Sequence, residues 1–235
     1  MISHLIELRT RLLRYMLILI LAFVICFWQA DVLFSWLSEP LRAALGPHTT
    51  MIFIAPHEAF FTYVRVAMFF GFFITFPWLL AELWGFIVPG LYDHERRLFT
   101  PLLLAGALLF YGGGLFAYLG VFPVAFKFFF GFASAQITAM PSLKESLTMF
   151  MRMLFAFGLA FELPMVLLLL MHFGVVTAET LKANRGYVVL IVFVAAAVLT
   201  PPDVITQIML ALPMWLLFEL SLLCDGLLKK RGDAA

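Results

Sequence analysis

Charge is scarce in this sequence: Asp, Glu, Lys and Arg make up 12% of the residues, about half of the roughly 25% usual in a soluble domain. With 64% hydrophobic residues and a mean hydropathy of +1.06, that shortage excludes a water-soluble fold. The net charge is only +1, so there is no overall basic field to attract nucleic acid. Cysteine is nearly absent, with Cys26 in the first apolar run and Cys224 at the end of the last. Neither a disulfide nor a metal cluster is expected from two residues so placed. The phosphate-cradling pattern Gly-x-x-x-x-Gly-Lys-Ser/Thr is missing, which argues against ATP hydrolysis. Of the histidines only His172 lies in an apolar run, with no serine close in sequence to act as nucleophile, so nothing local suggests an intramembrane protease. No internal repeat or low-complexity tract is present. Neither an enzyme nor a cofactor is expected.

What the chain does have is long apolar runs. A helix needs about 20 apolar residues to span a bilayer core, and it closes its backbone hydrogen bonds internally. Six windows meet or approach that length: residues 12–30, 66–88, 98–122, 150–173, 187–200 and 204–224. The fifth is short, and only Pro201-Pro202-Asp203 separates it from the sixth, so local bilayer thinning is expected there. Arg9, Arg11 and Arg14 precede the first run, but it ends in bulky Cys26-Phe27-Trp28. It is therefore read as a span, not as a cleaved signal peptide. An even number of spans puts both ends on one side. Arg9, Arg11, Arg14, Arg96, Arg97, Lys182, Arg185, Lys229, Lys230 and Arg231 fall on that side, while the longer opposite loops hold only Arg42, Arg65, Lys127, Lys144 and Arg152. The positive-inside rule makes the termini cytoplasmic. The loops 31–65 and 123–149 then face outward and are apolar enough to form interfacial helices.

Acids within the membrane are costly and usually functional. Glu82, Glu162 and Glu219 all lie in apolar windows. Glu82 and Glu219 fall near cytoplasmic helix ends, whereas Glu162 sits mid-window with no cation within a turn or two. Pro164, two residues later, should bend the helix locally. Glu7 and Glu95 lie on the cytoplasmic side beside arginines, where each taken alone reads as a solvated surface charge. Together, two such carboxylates would suit a pair of guanidinium groups, since the planar fork of Arg matches a carboxylate bidentately. In the third span, Gly112-Gly113-Gly114 permits close helix approach.

Four stretches resemble one family. His4-Leu5-Ile6-Glu7-Leu8-Arg9-Thr10-Arg11 is similar to the amino-terminal signature of the TatC family. Trp84-Gly85-Phe86-Ile87-Val88-Pro89-Gly90-Leu91-Tyr92 with His94-Glu95-Arg96-Arg97 resembles its first cytoplasmic loop. Phe157-Gly158 with Phe161-Glu162-Leu163-Pro164 resembles its fourth span. Thr200-Pro201-Pro202-Asp203 with Gln207, Pro213 and Phe218-Glu219 resembles its last hairpin. The likeness covers essentially the whole chain in order. It implies an all-α, cup-shaped bundle of six transmembrane helices, the last two short, forming one membrane domain over residues 1–235. It also implies a receptor in the cell inner membrane for the Arg-Arg signal peptides of folded precursors. Such a receptor works with the single-span subunits TatB and TatA, as a homo-oligomer with TatB among membrane lipids, and is driven by the proton-motive force.

By that resemblance Glu7 and Glu95 match signal-binding positions, with Arg9, Arg11 and Phe86 beside them. Glu162 matches an intramembrane acid on the concave face, and Thr200 and Gln207 match partner-binding positions. Asp203, Glu219 and Glu82 are further candidates. The chain departs from the family pattern at Glu82, where Gln is common, at the preceding Ala81, where an aromatic is common, and at Asp93, where a basic residue is common. The competing reading is a proton-coupled transporter of a small solute, with Glu162 and Glu82 as relay groups. Such a transporter would have no need of acidic loop positions such as Glu7 and Glu95, and many transporters carry internal repeats.

Overall fold

The computed structural model describes residues 2–45, 51–52, 54–87, 99–132, 140–201 and 203–232. Their helices are α1 (Ile2–Trp28), α2 (Ala30–Leu45), α3 (Glu58–Ile87), α4 (Phe99–Phe116), α5 (Phe122–Phe130), α6 (Leu143–Phe161), α7 (Leu163–His172), α8 (Ala178–Ala183), α9 (Arg185–Leu199) and α10 (Val204–Gly232). Among the described residues the only β pairing is an isolated bridge between Ile52 and Ser142. Among the described residues five segments are long and apolar enough to cross a membrane: Ile6–Trp28, Glu58–Gly85, Pro101–Phe130, Leu143–His172 and Val204–Gly226. Arg185–Leu199 is a shorter apolar helix of 15 residues, roughly 22 Å long at 1.5 Å per residue.

The helices outrun the apolar windows. Of the two helices expected to be short, α9 is short, but α10 runs for 29 residues and carries on into Lys229, Lys230 and Arg231. A helix end needs no apolar side chains once it leaves the hydrocarbon. For the same reason α3 starts at Glu58 and α6 at Leu143, ahead of the charged residues Arg65 and Arg152 that close a hydropathy window. The first of the two loops expected to form interfacial helices does contain a helix of its own, α2, which buries Ala30, Leu37, Ser38 and Leu41 along one stripe. In the second loop α5 is instead a continuation of the third span.

Two prolines account for the irregular turns. Pro123 has no N–H to give to the carbonyl four residues back, and the turn ahead of it widens into a π-helix over Ala117–Val121, with the Phe122 N–H reaching the Ala117 carbonyl. Pro164 likewise leaves α6 and α7 separated at Glu162. Pro40, Pro77 and Pro213 sit inside α2, α3 and α10 without ending them.

The chain forms two compact units. The first comprises residues 1–108 and 126–151. There α1 packs antiparallel on α3, and the Phe126 and Phe150 rings meet at 4.7 Å between centroids. The second comprises residues 109–125 and 152–235. Its core joins Met171, Ala178, Phe218 and Leu222, flanked by Leu163, Leu167, Leu168, Leu181 and Val188. Within this unit Gly113 lies so close to the Phe157 carbonyl that any Cβ would overlap it, so one member of the glycine run does serve close helix approach.

Candidate functional site

Glu7, Arg11 and Arg14 recur at helical spacing, which places them on one stripe of α1. Tyr15 continues that stripe and is buried, with its hydroxyl 3.4 Å from Thr75 Oγ1 on α3. One end of the α1–α3 seam is polar. There Arg11 donates from Nε and Nη2 to Glu7 Oε1 at 3.1 and 2.9 Å, and from Nη1 to Glu82 Oε2 at 3.2 Å. Arg14 Nη1 reaches the other Glu82 oxygen at 3.4 Å. The side chain of Glu82 is 10% exposed, against 25% for Arg11 and 35% for Glu7. The inner acid is therefore shared by two cations, and the outer acid holds the Arg11 guanidinium nearer solvent. Gly85 makes this possible, because a Cβ there would collide with Arg11 Nη1.

Of the expected pair, Glu7 lies within the described residues and Glu95 outside them. Glu7 is where a guanidinium is bound, and Arg11 is the residue that binds it. Arg9 is exposed. Phe86 belongs to the last turn of α3, though its side chain, like the whole of Glu95, lies outside the described residues. Glu82, a lesser candidate from sequence, is the acid that organises the cluster. The i, i+4, i+7 spacing of Glu7, Arg11 and Arg14 was the available signal for the α1 side of the cluster alone.

A second carboxylate was missed. Glu58, the first residue of α3, is buried. Its Oε2 accepts from the Ile54 and Ala55 N–H groups at 2.8 and 3.3 Å, and its Oε1 accepts from Lys144 N at 3.1 Å and Ser142 Oγ at 3.3 Å. Beside it, Ile52 N donates to Pro141 O and Leu143 N to Ile52 O. Glu58 thus fastens the segment before α3 to the start of α6. A lone Glu at the edge of an apolar run gives no hint of donors 84 residues further on.

Glu162 occupies the break between α6 and α7. Its N–H donates to Leu159 O at 3.1 Å, and its carbonyl accepts from Val166 N at 3.0 Å. The side chain belongs to a residue only 7% exposed, and its Oε1 has no hydrogen-bond partner among the described residues. Buried polar atoms are nearly always paired, and one that is not calls for a functional explanation. His172, expected within an apolar span, is exposed at the end of α7.

The last hairpin is polar but turned inward. Thr200 is buried, and its hydroxyl donates to Ala196 O at 2.8 Å in its own helix. Gln207 Nε2 crosses from α10 to Phe193 O of α9 at 3.2 Å. Asp203 caps α10, its Oδ1 accepting from Thr206 N at 2.7 Å and its Oδ2 from the Thr206 hydroxyl. Glu219 accepts from Arg185 Nη2 at 2.8 Å. Gln207 therefore ties α10 to α9 and Thr200 closes the end of its own helix, while the exposed faces of α9 are apolar, through Leu190, Ile191, Val194 and Val198.

Comparison with known proteins agrees with this architecture. The family model described as Sec-independent protein translocase protein (TatC) matches residues 3–213. The chain is 45% identical over 234 residues to a Sec-independent protein translocase protein TatC of Magnetococcus marinus, covering 99% of this chain and 86% of that protein. It is 39% identical to the protein of the same name from Escherichia coli strain K12, covering 94% and 85%. A crystal structure of the twin arginine translocase receptor TatC superposes with a TM-score of 0.82 at 39% identity, covering 95% of this chain and 98% of that one. With its run of apolar membrane helices and these matches over nearly its whole length, the chain is a multi-pass membrane protein that belongs to the TatC family of protein translocase components.

Proposed function

We propose that this chain is the signal-peptide receptor of a twin-arginine translocase in the cell inner membrane, with both termini cytoplasmic. It takes the Arg-Arg signal peptides of folded precursors at Glu7 and Glu95 and nucleates an export complex with TatB and TatA. Export draws on the proton-motive force and involves no enzymatic step by this chain. The observation that carries this reading is the Glu7 carboxylate, which already holds a guanidinium at the solvent-facing end of the α1–α3 seam. Its geometry suits Arg over Lys, because two nitrogens of one planar fork converge on it. Arg9 and Phe86 are taken as members of the same site by motif resemblance. On this reading Glu162 offers a polar group within the fourth span, and the α9–α10 hairpin, with Thr200 and Gln207, is the partner-binding region and presents its apolar outer face to partner helices.

The test is binding of Arg-Arg and Lys-Lys signal peptides to the detergent-solubilised protein. The Arg-Arg peptide should bind more tightly, and Glu7→Ala/Glu95→Ala should weaken it about a hundredfold, as loss of two charge-assisted contacts implies. Unchanged affinity in that variant would remove both residues from the site. A proton-coupled transporter of a small solute would show no preference between the two peptides.

A further inference from the structure

We propose that Arg11 is a built-in competitor for the signal's arginine, and that Glu82 is the carboxylate that takes Arg11 over when the signal arrives. The inference rests on the signal-binding role of Glu7 proposed above. Arg11 presents three nitrogens: Nε and Nη2 occupy Glu7, while Nη1 is already on Glu82. An incoming guanidinium that claims Glu7 therefore does not have to expel Arg11 into a low-dielectric seam. Arg11 gives up one carboxylate and keeps the other, so it is never left without an acidic partner. Glu82 is fit for this because it is the more buried acid and is fixed from α3, with Arg14 holding its far oxygen. Glutamine in its place would offer one neutral acceptor oxygen, a weaker partner for a cation. Gly85 is part of the device, since a Cβ there would strike the nitrogen that donates to Glu82.

The experiment is a double-mutant cycle on Arg-Arg peptide affinity, using the full chain in detergent with folding followed by thermal unfolding. Glu82→Gln should weaken binding about tenfold, the size of one charge-assisted hydrogen bond, because Arg11 then has only Glu7 to hold. Arg11→Gln should tighten binding severalfold. Adding Glu82→Gln to Arg11→Gln should change affinity by less than about twofold, since coupled residues lose their separate effects. Gly85→Ala, which alters no charge, should act with the sign of Glu82→Gln and serves should that variant not fold. If Glu82→Gln costs the same factor with or without Arg11, then Glu82 attracts the peptide directly and the handover is wrong. If Arg11→Gln weakens binding, Arg11 is a scaffold and not a competitor, and the proposal fails as well. Both results presuppose a wild-type protein that binds the peptide through Glu7. Lack of binding there, or a Glu7→Gln variant that binds normally, overturns the receptor reading itself and the handover with it.

Discussion

Glu82, near the end of α3, and Glu162, between α6 and α7, are withdrawn from solvent to about the same degree, yet their surroundings treat them in opposite ways. Glu82 meets Arg11 on one oxygen and Arg14 on the other. Glu162 Oε1 meets no hydrogen-bond donor among the described residues. Burial alone is thus a poor guide to what an acid in a membrane helix does. A neutralised acid stabilises the seam it sits in, whereas an orphaned one weakens its helix pair and is retained for some other reason.

The contrast can be broken by removing each acid in turn. Glu82→Leu takes one of two acids from Arg11, which keeps Glu7, and removes the acid that Arg14 meets beside an apolar seam; it should lower stability by about 2 kcal/mol, less than a fully buried pair would lose because both arginines retain some solvent. Detergent-to-SDS unfolding of the purified protein measures this, and an unchanged midpoint would mean that the arginines find other acceptors. Glu162→Leu should reduce export of a folded Arg-Arg precursor about tenfold in cells while the protein accumulates normally, because an apolar side chain removes the polar group that the fourth span carries at a cost of about 2.5 to 3.5 kcal/mol. Export at the wild-type rate would leave Glu162 without a role.

The same Glu162→Leu protein should be more stable by about 1 kcal/mol, since an unsatisfied acceptor is lost. Destabilisation in the unfolding assay would show that the carboxylate is satisfied and would erase its difference from Glu82. The smallest effect is expected in the last hairpin. Gln207→Leu gives up one bond to Phe193 O and should cost about 0.6 kcal/mol, read in that unfolding assay.

The membrane-spanning regions were legible because apolar runs of this length admit little else, and the break beside Glu162 followed from Pro164. The widened turn before Pro123 did not follow, since a proline in such a run can equally be carried within a regular helix, as Pro77 and Pro213 are. The helix ends were misjudged wherever a charged residue such as Arg65 or Arg152 interrupted an apolar run without interrupting the helix. Motif resemblance pointed to Glu7, and helical spacing could place Arg11 above it. Nothing local could join either of them to Glu82, 71 residues from Arg11. Thr200 was picked out by motif resemblance; that its hydroxyl turns back on its own helix is a choice made by backbone geometry and invisible in composition.

Glu58 carries a consequence for how the chain is made. One of its oxygens finds Ile54 and Ala55 as soon as α3 begins, but the other waits for Ser142 and Lys144, 84 and 86 residues later. At roughly 5 to 20 residues per second, a growing chain leaves that oxygen waiting for about 4 to 17 s. Throughout that interval α3 itself and one further span, α4 with α5, enter the bilayer while the first turn of α3 stays unfinished, and the clasp closes only when the start of α6 has been made. The order of synthesis therefore leaves this end of the first unit open until α6 arrives, and a nascent chain arrested before Ser142 would expose it.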